Sequence, residues 1–191
     1  MSKNKEIEIK VRVENVKPLT KHLKDNAKFL NKNRQVDHYF SAPHRNFVDK
    51  KPVEEWLRLR NEEGKHSITY KYWHYDKDGK SNYCDEYETV VEDVEKIGLI
   101  LSALNFESLI KVDKNRESYE FEDYVVSIDN VDGLGDFVEV EYYGKDETEP
   151  KVITDKMVEF LKSLNVGKIH RNFVGYPFMM LFPNDVEFFE L

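Results

Sequence analysis

Two short stretches carry residues whose type and spacing suit chemistry on a charged substrate. In Glu6-Ile7-Glu8-Ile9-Lys10-Val11-Arg12, carboxylates and cations alternate with branched apolar residues. Glu139-Val140-Glu141 repeats the carboxylate pair. On an extended strand, residues at i and i+2 share a face and lie within about 7 Å of each other. Such a pair offers hard oxygen ligands suited to a hydrated Mg2+ or Mn2+, which takes its remaining ligands from water or substrate phosphate. The cations come in similar form: Arg58 and Arg60, Lys71, and Lys114 and Arg116. Arginine presents a planar fork to phosphate oxygens and lysine a compact charge, so cations converging from several strands match a polyphosphate. A divalent ion between the two sets would bridge carboxylate to phosphate and cancel their repulsion.

The elements that must position these groups are mostly strands. Period-two alternation marks residues 6–14, Trp56–Arg60, Ser67–Tyr72, Glu86–Val91, Val125–Asp129 and Phe137–Tyr142, with further strands expected around 34–41 and 114–121. Spacing near 3.6 predicts three helices, at about 15–28, 92–105 and 152–165. Asp78-Gly79 is expected to close a hairpin between the strands near 70 and 86, and Asp132-Gly133 with Gly135 marks a second turn. An α+β domain results, rich in antiparallel strands. The ordinary reading of each alternation is a polar face turned to water. Against it stands the choice of polar residues: seven cations (Lys10, Arg12, Arg58, Arg60, Lys71, Lys114, Arg116) and seven anions (Glu6, Glu8, Glu86, Glu88, Asp129, Glu139, Glu141). Strands curled into a closed or cup-like barrel would force these into a shared polar lumen.

Composition bounds the function. The chain has 191 residues and a net charge of -8, which excludes a basic nucleic-acid coat. With 40% hydrophobic and 13% aromatic residues it can build a core, and no Gly/Pro/Ser-rich linker divides it, so residues 1–191 read as one domain. Cys84 is the sole cysteine and has no disulfide partner. No apolar run reaches the roughly 18 residues needed to span a bilayer, and Met-Ser-Lys-Asn-Lys lacks the apolar segment of a secretory leader. A cytoplasmic protein with neither membrane nor nucleic-acid partner is expected.

The motifs, taken in order, resemble those of the CYTH family, the triphosphate tunnel metalloenzymes. Glu6-Ile7-Glu8-Ile9-Lys10 resembles its E-x-E-x-K, and Asp37-His38-Tyr39-Phe40-Ser41-Ala42-Pro43 its D-x-Y-F-x-x-P. Leu57-Arg58-Leu59-Arg60 is similar to L-R-x-R, Ile68-Thr69-Tyr70-Lys71 to L-T-x-K, and Lys114-Asn115-Arg116 to K-x-R. Residues 129–141 are similar to D-x-V-x-G-L-G-x-F-x-E-x-E. The resemblance implies a roughly eight-stranded triphosphate tunnel with a few flanking helices. It implies Mg2+ or Mn2+ on Glu6, Glu8, Asp129, Glu139 and Glu141. It also implies substrate phosphates on Lys10, Arg58, Arg60, Lys71, Lys114 and Arg116, to which Arg12 and Arg171 are added as further expected cations. Lys10, Glu8 and Lys71 are the expected catalytic residues. The family includes class IV adenylyl cyclases, thiamine triphosphatases and inorganic triphosphatases. The short form and the Gly-Leu-Gly-Asp-Phe stretch look most like the cyclase branch, with triphosphate hydrolysis as the alternative and a non-catalytic triphosphate sensor as a rival of another class.

Two departures stand out. Where family members often carry an Arg after L-T-x-K, this chain has Glu86 and Glu88. The C-terminal element around His170–Leu181 is only loosely similar to the family's. The six histidines form no metal-spaced pair, and Cys84 has no neighbouring base, so both read as structural. Tyr70, Tyr72, Trp73 and Tyr75 read as cross-strand packing, with stacking on a base as the alternative. The tail Phe178–Phe182 reads as a core cover, with contact to a second copy in a homodimer as the alternative.

Overall fold

The computed structural model describes residues 5–144 and 149–191; the opening Met1–Asn4, read above for a leader, lies outside them. Eight strands close into an antiparallel barrel: β1 (Lys5–Val13), β2 (Lys28–Ser41), β3 (Glu55–Glu62), β4 (Lys65–Tyr75), β5 (Ser81–Val91), β6 (Glu107–Phe121), β7 (Tyr124–Val131) and β8 (Gly135–Tyr142). Their order around the barrel is β1-β5-β4-β3-β2-β6-β7-β8, and β8 closes back on β1. Short strands β9 (Ile169–Arg171) and β10 (Phe189–Glu190) continue the sheet beyond the end of β1. β1 pairs with β5 only at Lys5 and Glu6 and with β9 only from Val11 onward, so this edge of β1 changes partner along its length.

The apolar faces of the strands point outward and the charged faces inward, and helices supply the cover that the outer faces need. Ile7, Ile9 and Val11 of β1 join Val138 and Val140 of β8 in a buried cluster. Leu19 and Leu23 of α1 (Lys17–Asn26) and Ile153, Met157 and Leu161 of α3 (Pro150–Ser163) complete it. Burying one such side chain stabilises the fold by roughly 1.5–3 kcal/mol. On the opposite wall, α2 (Val94–Ala103) lays Leu101 on Phe40 and Leu59, and Asp93 caps its start by accepting a bond from the Lys96 amide at 2.8 Å.

A short helix, α4 (Tyr176–Leu181), sits over one end of the barrel. Its Tyr176, Phe178 and Met179 pack with Tyr39, Trp56, Val112, Val131 and Phe137. The tail is therefore the core cover expected from its composition, though helical where no helix was expected. β2 and β6 also start earlier than expected, at Lys28 and Glu107. Residues 28–33 pair with 116–120 and residues 107–113 with 36–41, and apart from Val112 the added residues are exposed or half-buried, so they carry no alternation for a pattern to reveal. The turn residues Gly79, Gly133 and Gly135 have φ of 72, 74 and 88°, a region glycine enters without the usual side-chain clash.

Candidate active site

The barrel encloses a cavity of about 560 Å³ with almost entirely charged or aromatic walls. Lys10 reaches in from β1, Arg58 and Arg60 from β3, Lys71 from β4, and Lys114 and Arg116 from β6. Glu6 and Glu8 of β1 and Glu139 and Glu141 of β8 line the same space. At the end covered by α4, the Tyr176 ring lies 4.5 Å from Lys10 Nζ and 5.7 Å from Lys114 Nζ. The groups read as one face of many strands thus meet across a single lumen, as strand alternation in a closed sheet requires.

Each of these cations meets a carboxylate. Arg60 donates to Asp37 through Nε at 2.7 Å and Nη2 at 2.8 Å, and Lys114 donates to the same carboxylate at 2.6 Å. Arg58 lies 3.9 Å from it. Asp37 is 1% exposed. Burial disfavours its charge, but Lys114, Arg60 and Arg58 more than offset this and hold the carboxyl well below the usual carboxylate range. Asp37 was absent from the expected site residues although it opens the D-x-Y-F motif. Its partners come from β3 and β6, the two strands flanking β2, and only the barrel order reveals that. Burial and the neighbouring Arg60 and Arg116 pull Lys114 down to about 8 against the attraction of Asp37. Lys10 sits 3.3 Å from Glu8 and 3.1 Å from Glu139. Despite burial, these two carboxylates raise its pKa and keep it protonated. Lys71 is held likewise by Glu6 at 2.5 Å, with Glu86 at 3.6 Å.

The acidic side is less settled. Glu8 lies directly opposite Glu141 in the β1–β8 ladder, and like charges facing each other across strands repel. Burial, then Glu139 and Glu6, push Glu8 up against the pull of Lys10. Burial, then Glu6 and Glu8, raise Glu141 to about 8. Arg116, 2.9 Å from Glu139, and Lys10 more than offset burial there and hold Glu139 well below the usual range. Among the described residues no three acidic, histidine or cysteine side chains already converge as a metal cluster. Yet a divalent cation between Glu8, Glu141 and their neighbours would relieve the repulsion that raises both, so the donor set fits Mg2+ or Mn2+.

A pH prediction follows from Glu141. The unfolded chain loses that proton near the ordinary glutamate value of about 4.3, whereas the folded, metal-free chain loses it only at about 8. Between those values the folded state binds more protons, so its stability falls as pH rises from about 5 to about 8. Thermal melts without metal should record this fall, and Glu141→Gln should flatten it. A slope unchanged by the substitution would locate the titrating group elsewhere.

Three expected site residues do not line the cavity. Arg12 falls where β1 leaves the barrel to pair with β9; its guanidinium is held between the rings of Phe137 and Phe188 and donates to the Leu134 carbonyl at 2.8 Å. Asp129 points inward but is 0% exposed, covered by Arg116 through bonds of 2.7 and 2.6 Å and by the Tyr176 hydroxyl at 2.8 Å. With its oxygens so occupied it orients Arg116 rather than facing the lumen. Arg171 lies beyond the wall formed by Glu8 and Lys10, in a smaller chamber.

Glu86 and Glu88 both line the main cavity. Glu88 accepts from Thr69 at 3.0 Å and Arg58 at 3.3 Å, so this position neutralises a tunnel cation. Cys84 is buried and donates to Glu6 at 2.9 Å. Burial, then Glu6, raises its pKa, so it is held as a thiol. Of the aromatic run only Trp73 lines the main cavity, toward α4; Tyr70 and Tyr72 donate to Glu55 and Glu54 instead.

A closed antiparallel barrel with inward cations and paired carboxylates is the architecture of a triphosphate tunnel protein. The CYTH domain profile matches residues 4–171, and the chain belongs to the CYTH family. It is 38% identical over 164 residues to the Methanocaldococcus jannaschii protein named "Putative adenylate cyclase MJ0240", covering 85% of this chain and 91% of that one. The PH1819 protein of Pyrococcus horikoshii shares the fold with a TM-score of 0.71 and 30% identity, over 86% of this chain and 92% of that one. The Hippeastrum protein HpAC1, named a "putative adenylyl cyclase" and described as having a dominant triphosphatase activity, shares the fold with a TM-score of 0.61. It is 20% identical, over 94% of this chain and 95% of that one. Among the described residues no helix is long and apolar enough to cross a membrane.

Proposed function

We propose that this chain is a divalent-metal-dependent enzyme acting on a triphosphate, and that its reaction is cyclisation of ATP to cyclic AMP with release of pyrophosphate. The observation that carries this reading is the convergence of six cations from four strands on one cavity of about 560 Å³ that also holds two cross-paired sets of carboxylates. Lys10, Arg58, Arg60, Lys71, Lys114 and Arg116 would hold the phosphates. Glu6, Glu8, Glu139 and Glu141 would hold Mg2+ or Mn2+. When bound, the ion supplies charge neutralisation and polarises the phosphoryl oxygens. Lys10 and Lys71, kept protonated by their carboxylates, place fixed positive charge where charge develops as the bond to phosphorus breaks. The name of the 38%-identical relative supports cyclisation over other displacements at phosphorus.

Hydrolysis of the triphosphate is the second reading, and the placement of the rings favours it. Trp56 and Trp73, which could stack on a base, sit against α4 at the covered end. The activity described for HpAC1 is of this second kind. Incubation with ATP, thiamine triphosphate and tripolyphosphate under Mg2+ or Mn2+, with products separated by chromatography, decides between them. Cyclic AMP with pyrophosphate supports the first reading and orthophosphate the second, while no product from any substrate overturns both in favour of a sensor.

Arg60→Ala removes a fork that charged hydrogen bonds to phosphate would use, at roughly 1.5–3 kcal/mol. Calorimetry with tripolyphosphate should then report affinity weaker by about 10- to 100-fold. Unchanged affinity would remove Arg60 from the phosphate site.

A further inference from the structure

Arg171 breaks the pattern set by the tunnel cations. It is 8% exposed, and among the described residues its Nε has no hydrogen-bond partner and no carboxylate lies within 4.0 Å of its guanidinium. Its charge lies over the Phe173 ring, 4.5 Å from the centroid. Removing an unpaired charge from water is strongly unfavourable. Accordingly, burial lowers Arg171 to about 10, with Asp155 and Glu8 too weakly coupled to restore it.

The guanidinium borders a chamber of about 30 Å³ at the covered end of the barrel. Chain topology explains the chamber: between Glu6 and Val11 that edge of β1 has no strand partner among the described residues, and residues 171–175 with Phe178 border the space beside Glu8 and Lys10. Val53, Trp73 and Phe178 make its walls apolar. Its polar groups are largely engaged with the protein: Ser81 donates to the Phe173 carbonyl at 3.1 Å, Tyr75 to the Val53 carbonyl at 2.8 Å, and Asn172 bonds Met179. Glu8 stands on the wall shared with the tunnel, its charge screened by Lys10 at 3.3 Å. The space is that of one or two water molecules.

We propose that this chamber is a binding site for a single small inorganic anion of the halide class, held by Arg171. A halide needs one strong cation and tolerates apolar walls. Orthophosphate, a tetrahedral dianion, needs more donors than the chamber has free and more room than it offers. Such an anion neutralises a buried guanidinium that has no carboxylate partner among the described residues, and fixes the covering segment against β1 and β5. The site is independent of the triphosphate reading, since its ligand touches no phosphate.

Bromide tests the assignment directly. Crystals soaked in sodium bromide should give an anomalous peak within about 3.5 Å of the Arg171 guanidinium. In solution, replacing sodium gluconate by sodium chloride at constant ionic strength should raise the Tm by at least about 2 °C. Arg171→Gln should abolish both the peak and the chloride response; Arg171→Lys, which keeps the charge, should retain part of the response if the first variant folds poorly. An empty chamber in the bromide crystal, orthophosphate bound there in preference to bromide, or a chloride response that survives in Arg171→Gln would each overturn the proposal.

Discussion

Glu8→Gln is expected to lower kcat more than about a hundredfold while tripolyphosphate binding stays within about threefold of the parent. The amide keeps the side chain's shape but loses the charge that an ion between β1 and β8 requires. Lys10 does not become an orphan, because Glu139 remains 3.1 Å from it. Glu8 faces Glu141 across the ladder and burial already raises it, so removing its charge also removes a repulsion. The metal-free variant should therefore melt no lower than the parent. Loss of turnover with unchanged folding and retained phosphate affinity isolates a metal role. Parent-like turnover would end the assignment of Glu8, and with it the carboxylate half of the proposed site.

Much of the barrel was legible because alternation and charge choice both point inward. Lys10, Arg58, Arg60, Lys71, Lys114, Arg116, Glu6, Glu8, Glu139 and Glu141 all line one cavity, as strand period two and closure demand. What alternation cannot report is where along the barrel a residue falls. Arg12 keeps the period of Lys10 but lies past the point where β1 exchanges β5 for β9, and its charge ends between two phenyl rings. Nor can alternation say which inward residue covers another. Asp129 shares a face with the metal-binding candidates, yet Arg116 on the neighbouring strand lies over it. α4 was missed for a different reason: six residues give too few turns for a helical period to stand out.

The distribution of polarity explains why the helices matter to the site. In most small barrels the inner face supplies the apolar core, whereas here the lumen is charged and Ile7, Ile9, Val138 and Val140 face out. Apolar cohesion must then come from α1, α2 and α3 laid on the outside and from the cluster α4 makes with Tyr39, Trp56, Val112, Val131 and Phe137 at one end. The inward ions contribute specificity of arrangement more than stability, since burying an ion pair roughly balances attraction against lost hydration. That balance holds only while every charge keeps its partner, which makes the most heavily shared carboxylate the most sensitive point in the tunnel.

Asp37→Asn tests that sensitivity. Asp37 neutralises Arg60 and Lys114 directly and lies 3.9 Å from Arg58, with almost no exposure to water. An amide cannot replace it, because its NH2 group turns a donor toward cations that are themselves donors. Breaking a buried pair from one side costs about 3–5 kcal/mol. For a chain of this size that corresponds to a Tm lower by roughly 6–20 °C. The acid limb carries a second signature. Asp37 holds its charge in the folded state well below the pH at which the unfolded chain takes up a proton. Its contribution is therefore complete above about pH 4 and is lost as pH falls through the folded pKa. The variant should lose less stability than the parent between pH 4 and pH 2, measured as Tm against pH. Phosphate affinity should fall with it, since Arg60 and Lys114 lose the anchor that aims them into the lumen. A variant that melts with the parent and binds tripolyphosphate equally well would mean that the three cations organise themselves without Asp37.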